Sequence, residues 1–163
     1  MIEIIEINQT HLPMVQRYAS DPNIGATSNV PYPYPSDGAI AWYKNVMKNK
    51  ENGISIVFAI IRDQEFAGVI SLNKLNLDTK TADIDYWVRA DFHNKGVATA
   101  AVGRLLHYAT KLGIQKFQSG CLESNKASQS VLEKSGFAAA GKNTIREGKF
   151  AGHEFIHYEK LCS

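Results

Sequence analysis

A polar segment near the middle of the chain, HNKGVAT at residues 93–99, has the composition of a helix start that binds an anion. The first N–H groups of a helix have no intrahelical partner and lie at its positive end, so a diphosphate there gains hydrogen bonds. Gly96 and Ala98 would let a bulky anion approach closely, and Lys95 adds charge. Alone, the segment fits an ordinary loop and helix equally well. The Walker and dinucleotide-binding glycine patterns are absent.

Hydrophobic periodicity and turn residues predict the strands and helices around this segment. Three prolines within residues 30–35 exclude regular structure there. The step from the third strand through a long helix, closed by Gly113, to the next strand is expected to be a right-handed parallel crossover. Strands are predicted at 1–7, 54–61, 66–75, 81–89, 115–122, 137–146 and 150–161. Helices are predicted at 10–19, from an N-cap at Ser36 to about 48, at 97–112 and at 125–136.

Composition bounds the class of protein. A length of 163 residues with 44% hydrophobic content fits one domain with a sizeable core. The 18 Lys and Arg are scattered and the net charge is only +2, so nucleic acid is not expected as a partner. No apolar run approaches the roughly 18 residues that a membrane helix needs and no signal peptide is visible, so we expect a cytoplasmic protein without membrane contact. Cys121 and Cys162 are expected to be free thiols, and no Cys/His spacing suggests a metal.

Three motifs in order give nearly the whole chain a resemblance to the Gcn5-related N-acetyltransferase superfamily. The pyrophosphate signature, Arg/Gln-x-x-Gly-x-Gly/Ala, reads HNKGVA at 93–98. ADIDYWV at 82–88, NKAS at 125–128 and LEKSGF at 132–137 are similar to segments of the RimJ/RimL-like branch, which acetylates the N-termini of ribosomal proteins. The resemblance implies one α/β domain over residues 1–163. Its seven-stranded mixed sheet would be mostly antiparallel, with a central splayed parallel pair and about four helices.

The resemblance implies acetyl-CoA as the co-substrate, lying between the splayed strands 81–89 and 115–122. Position matching assigns the pantetheine amides to the backbones of Trp87 and Val88, because a splay leaves backbone groups unpaired. One of these amides would also polarise the thioester carbonyl. Asn125 is expected to cap the following helix and to face the cofactor. The residues expected to carry the pyrophosphate are His93, Asn94, Lys95, Gly96, Val97, Ala98 and Thr99.

The same resemblance implies which residues contact the leaving sulfur and which accept a proton from the amine. Ser128 matches a serine of the branch and is expected to contact the thioester sulfur. Leu132 stands where many superfamily members carry a tyrosine donor, and leucine cannot donate. Asp83 matches a family glutamate, and Asp85 faces the same side of the sheet, so either could deprotonate the amine or simply lie on a solvated strand face. The alternatives for this base are Glu123 and Glu154.

The acceptor is expected to be a primary amine, either a protein N-terminus or a small molecule. The family builds its acceptor walls from the first two helices, their loop and the last hairpin. The side chains expected there are Tyr32, Tyr34, Trp42 and Glu154. The tyrosines fit a rigid lid packed on the core equally well. The resemblance implies an enzyme, an N-acetyltransferase in which the amine attacks the thioester directly in a ternary complex; the alternative is an acetyl-CoA-binding module without turnover. The sequence leaves open whether the protein is a monomer or a homodimer.

Overall fold

Seven strands form one sheet, in the order β1-β2-β3-β4-β5-β7-β6, in a computed structural model that describes residues 1–162. The strands are β1 (Ile2–Glu6), β2 (Ile56–Arg62), β3 (Glu65–Asn76), β4 (Thr81–Val88), β5 (Lys116–Leu122), β6 (Ala138–Thr144) and β7 (Glu154–Leu161). The helices are α1 (Leu12–Ala19), α2 (Pro22–Gly25), α3 (Gly38–Glu51), α4 (Val97–Lys111) and α5 (Lys126–Lys134). Two 3₁₀ turns lie at Gln9–His11 and Ala90–Phe92.

The β4–β5 pair is parallel, and every other neighbouring pair in the sheet is antiparallel. The β2–β3 hairpin turns at Asp63 and Gln64, which both have positive φ, as the tightest hairpin turns require. β4 and β5 are joined by the crossover that contains α4, which ends just before Gly113, at φ +99°. The predicted mixed sheet with a central parallel pair is confirmed. Four of the five helices are longer than a single turn, as expected.

The helices cover both faces of the sheet. On one face, α4 and α5 pack on a core that includes Ile70, Ile84 and Phe117, all fully buried. On the other face, α1 and α3 pack on a smaller core around Val57 and Val69. Because the central strands are covered on both sides, β2 is a continuous apolar run rather than an alternating one. Within residues 1–162, none of the helices is both long and apolar enough to cross a bilayer.

Three local predictions are corrected by long-range or turn contacts. Ser36 does not cap α3, which begins at Gly38 and continues to Glu51. The side chain that serves the first turn of α3 is Gln16 of α1, whose Oε1 accepts from the Ala39 N–H at 2.9 Å. The short α2 was not predicted; Asp21 caps it by accepting from the Asn23 N–H. β7 begins at Glu154 rather than at 150, because residues 148–152 form a turn.

Candidate active site

A gap opens in the sheet between β4 and β5. The two strands are paired only over Thr81–Asp83 and residues 116–118, although β4 stays paired with β3 as far as Val88. The Ser119 hydroxyl donates to the Ile84 carbonyl at 2.8 Å, where the ladder stops. Beyond this point each strand follows its other neighbour, so the backbone edge of β4 faces an opening rather than a strand.

The backbone groups that face the gap belong to Tyr86 and Val88. The Arg89 N–H donates to Ala67 of β3 at 2.8 Å, and backbone direction alternates along a strand. The amide of Trp87 therefore points toward β3, where a Cβ added to Gly68 would lie 2.2 Å from the Trp87 carbonyl oxygen. The backbone of Trp87, which the resemblance assigned to pantetheine, therefore faces β3, and the neighbouring residue whose backbone faces the gap is Tyr86. Val88 keeps its predicted place.

The loop before α4 presents a row of free amides. Gly96 precedes the helix at φ +75°, and the first helical bond runs from the Ala100 N–H to the Gly96 carbonyl at 3.1 Å. Within the described part of the chain, none of the N–H groups of residues 94–99 donates to a protein acceptor. A Cβ at Gly96 would meet nothing within 4 Å, so the space beside this residue is open. The predicted anion cradle at residues 93–99 has the required geometry.

The loop is held against the end of β4 by side chains. His93 Nε2 lies 2.6 Å from the Val88 carbonyl oxygen. This contact engages the carbonyl of Val88 and not its N–H group, which faces the gap. Arg89 is buried and forms a bidentate ion pair with Asp91, with both N–O distances 2.7 Å. Its guanidinium also lies between the rings of Tyr18 and Phe92, at 3.9 and 4.2 Å from their centroids. This pair and stack, which the sequence did not reveal, fix the 3₁₀ turn that carries the chain into the cradle.

Ser128 lies on the α4/α5 side of the sheet. As predicted, Asn125 caps α5, because its Oδ1 accepts from the Ser128 N–H at 3.1 Å. The Ser128 hydroxyl lies 2.8 Å from the Tyr86 hydroxyl, which reaches it from β4. Leu132 is fully buried in the core on this side. Ser128 thus stands next to the strand whose backbone edge faces the gap.

Asp83 and Asp85 lie on the opposite side of the sheet from Ser128. Asp83 Oδ2 is 3.7 Å from Lys74 Nζ, and Asp85 Oδ2 accepts from Asn73 Nδ2 at 2.6 Å. The protein surrounding Asp85 raises its pKa by desolvation, and the negative charge of Asp83 adds to the rise, while the Asn73 hydrogen bond opposes it. The Asp85 residue is nonetheless exposed to solvent, which limits this rise in pKa. A carboxylate with a raised pKa is better matched to accepting a proton near neutral pH.

The two alternative bases are engaged elsewhere. Glu123 pairs with Lys142 at 2.8 Å, and this hydrogen-bonded cation lowers the pKa of Glu123. Glu154 accepts from the Thr144 hydroxyl at 2.5 Å, across the β6–β7 hairpin. Both lie around a shallow depression formed with Ser124, Lys126 and His153, at the ends of β5 and β7. A lowered pKa makes Glu123 a weaker base than Asp85.

The predicted acceptor residues occupy different environments. Tyr32 is 56% exposed and its Cβ packs on Gly25. Tyr34 lies against Gly38 on the α1/α3 core, and burial raises the pKa of its phenol. Trp42 is half-buried against the same core. Tyr34 and Trp42 therefore have a packing role, and Tyr32 is the exposed ring of the three.

Two acceptor-side features were missed by sequence reasoning. Lys149, in the β6–β7 loop, donates to the carbonyls of Gly25 and Val30 at 2.6 and 2.5 Å, and so joins this loop to the segment after α2. On the side of the sheet that carries Asp85, a ring from β7 lies over β5, since a Cβ at Gly120 would come within 2.3 Å of Phe155. An open depression of about 780 Å³ lies beside this ring. Its lining residues are Asn143, Thr144, Ile145, Arg146, Glu147, Phe155 and His157.

Comparison with known proteins gives consistent results. The profile of the Acetyltransferase (GNAT) domain family matches residues 2–138. YdaF of Bacillus subtilis (strain 168) is 32% identical over 114 residues, which are 68% of this chain and 60% of that protein. The ribosomal-protein-serine acetyltransferase of Escherichia coli (strain K12) is 32% identical over 98 residues, 60% of this chain and 54% of the relative. The chain thus spans little more than half the length of these curated relatives.

The fold is also shared with a solved structure. RimL, a ribosomal L7/L12 alpha-N-protein acetyltransferase in complex with coenzyme A, superposes with a TM-score of 0.89. The superposition covers 99% of this chain and 94% of RimL, at 22% sequence identity. At that identity the likeness establishes the fold, and the site must be judged from its own residues.

Proposed function

The chain belongs to the GNAT acetyltransferase domain family, and on that premise we propose that it is an N-acetyltransferase that moves an acetyl group from acetyl-CoA to a primary amine. The observation that carries the proposal is the continuity of the site. Free amides at the start of α4 lead to the backbone edge of β4, and this edge leads to a gap with Ser128 on one side and Asp85 on the other.

The residues present fit acetyl-CoA as a substrate. The amides of residues 94–99 would hold the pyrophosphate, with Lys95 beside them. The N–H groups of Tyr86 and Val88 face the gap, where pantetheine amides and the thioester carbonyl need partners. The amide of Tyr86 is the one we expect at the thioester carbonyl, because it lies beside the Ser128 end of the gap. There it would stabilise the negative charge that develops on the oxygen during attack.

The side chains would act on two charges, the positive charge of the acceptor ammonium and the negative charge of the leaving thiolate. An alkylamine is mostly protonated at neutral pH, so it must lose a proton before it attacks. Asp85, with its raised pKa, would accept this proton and pass it to water. Attack of the neutral amine on the thioester carbon forms the C–N bond. The nitrogen then gives up its second proton to water, and the C–S bond breaks with its electron pair staying on sulfur. Ser128 would stabilise this thiolate through its hydroxyl. Both substrates are present together, so no acetyl-enzyme forms.

The acceptor would enter on the side of the sheet that carries Asp85. The walls available there are the segment around Tyr32, the Phe155 ring and the β6–β7 loop held by Lys149. The names of the curated relatives favour a ribosomal protein as the acceptor, and we propose its α-amino group as the site of transfer. A small-molecule amine remains the alternative, because the depression at the hairpin is open to solvent.

The test combines binding and turnover. Free CoA should raise the melting temperature of the purified protein, as any ligand of the native state does. Release of CoA thiol from acetyl-CoA would then be measured with N-terminal peptides, amino acids, polyamines and aminoglycosides. Turnover with at least one class of amine is expected, with kinetics that require both substrates before product release. A clear thermal shift without turnover on any amine would instead favour a binding module, and no shift at millimolar CoA would refute the proposal.

A further inference from the structure

The mechanism above gives no role to the half-buried phenol of Tyr86. The Tyr86 side chain crosses from β4 to the first turn of α5, where its hydroxyl lies 2.8 Å from Ser128 Oγ. Desolvation by burial raises the pKa of Tyr86 to about 12. The phenol is therefore protonated at any pH at which the protein would work, and it always has a hydrogen to donate.

The hydroxyl of Ser128, in the first turn of α5, has a different environment from that of serines just beyond the C-terminal ends of helices. Ser20, Ser28 and Ser135 each donate to the carbonyl four residues earlier, at 2.6, 2.6 and 2.7 Å. Such back-bonds occupy the hydroxyl hydrogen with the serine's own helix. Ser128 meets the Tyr86 hydroxyl instead, 42 residues away in sequence. Its backbone is held at the same time by Asn125.

A serine hydroxyl has one hydrogen and two acceptor lone pairs and rotates freely unless a partner fixes it. If Tyr86 donates, one lone pair of Ser128 is occupied and the serine hydrogen is left to point elsewhere. Two titratable groups act on the Tyr86 phenol: the Cys121 thiol of β5, which lies on the same side of the sheet beside Ser128, and the charge of Asp85, which acts from the opposite side. Burial raises the pKa of the Cys121 thiol, so it does not compete as an anion for the serine hydrogen at neutral pH.

We propose that Tyr86 is a positioning residue, whose phenol donates to Ser128 Oγ and aims the serine hydrogen at the sulfur of the leaving thiolate. This inference rests on the proposed acetyl transfer and deepens it. The same residue presents its backbone N–H to the gap. Tyr86 would therefore supply the N–H that donates to the thioester carbonyl oxygen and would also orient the Ser128 hydroxyl that donates to the sulfur. The phenol itself loses no proton during the reaction.

The test is a double-mutant cycle with Tyr86→Phe and Ser128→Ala, read as kcat and as the KM for acetyl-CoA. Tyr86→Phe removes the donor and keeps the ring, and kcat should fall roughly five- to tenfold with KM within about twofold. In the Ser128→Ala background the same change should have no further effect, because the group that it positions is gone. Tyr108→Phe is the matched control: its ring is half-buried on the same core, edge-on to Phe58, and kcat should stay at the wild-type value.

A fluorinated tyrosine at position 86 gives a second readout that does not depend on tolerance of phenylalanine. Fluorination lowers the phenol pKa and barely changes its shape, so kcat should fall at a lower pH than in the wild type, where the phenol ionises and stops donating. An unchanged pH profile would overturn the inference. An equal loss from Tyr86→Phe with and without Ser128, or a wild-type kcat in Tyr86→Phe, would do the same. Absence of turnover in the wild type would instead refute the proposed function from which the inference starts.

Discussion

The proposed nucleotide side of the site is built from backbone groups, whereas the proposed acceptor side is built from side chains that distant segments bring together. On the nucleotide side, consecutive amides at residues 94–99 need only a glycine before a helix. On the acceptor side, Lys149 reaches carbonyls more than 100 residues away in sequence. The contrast suggests that the first half tolerates changes of side chain and that the second half sets which amine is used. Four substitutions test this contrast between the two sides of the site.

The largest effect is expected for Asp85→Asn. Loss of a general base costs on the order of 10²- to 10⁴-fold in kcat. Folding raises the pKa of Asp85, so its ionised form lowers stability once the pH exceeds the folded pKa, and that cost is absent below the unfolded pKa. The variant should therefore melt at or above the wild-type temperature at neutral pH. A smaller loss in Asp83→Asn would assign the base to Asp85, and a larger one would assign it to Asp83.

Thr99→Glu should weaken nucleotide binding at the amides of residues 94–99 without destabilising α4. A glutamate in the first turn is favoured by the helix dipole, so the free protein should keep its melting temperature. The added charge would repel the pyrophosphate and raise the Kd for CoA roughly 30- to 100-fold, measured by calorimetry. Thr99→Gln has nearly the same shape without the charge. If glutamine weakens CoA as much as glutamate does, the cradle depends on side-chain shape and the contrast fails.

Lys149→Met should weaken use of the acceptor amine and leave acetyl-CoA binding almost unchanged, the reverse of the result expected for Thr99→Glu. The change removes two hydrogen bonds that hold the β6–β7 loop against Gly25 and Val30. The KM for the acceptor should rise about three- to tenfold, with little change in the KM for acetyl-CoA. Lys44→Met, at an exposed position of α3, serves as the control. Equal changes in both KM values would mean that the loop supports the whole fold.

The smallest effect is expected for Glu123→Gln. Glu123 is paired with Lys142, which lowers its pKa, so it is poorly suited to accept a proton from an amine. Steady-state kcat should stay within about twofold of the wild type, in keeping with the small energies of exposed ion pairs. A drop as large as that of Asp85→Asn would return Glu123 to the list of bases.

The sequence predicted features that local chemistry determines. Gly113 ended α4 and Asn125 capped α5 because each acts within a few residues of its own position. Ser36 failed as a cap because Gln16 of another helix took that place, which no local pattern encodes. The choice between Trp87 and Tyr86 depended on which neighbouring strand each amide faces. That required the register with β3, since the sequence places the strand but not the direction of its hydrogen bonds.

The stack at Arg89 has a consequence for the whole site. Arg62, Phe92, Arg89, Tyr18 and Arg17 alternate cation and ring across the end of β4, with distances between 3.9 and 5.1 Å. One end of this column stands on α1, beside the acceptor walls, and the middle holds the turn that leads into the phosphate loop. This column connects the two proposed substrate sites, so we expect a substitution at Tyr18 to weaken binding of the nucleotide as well as of the amine.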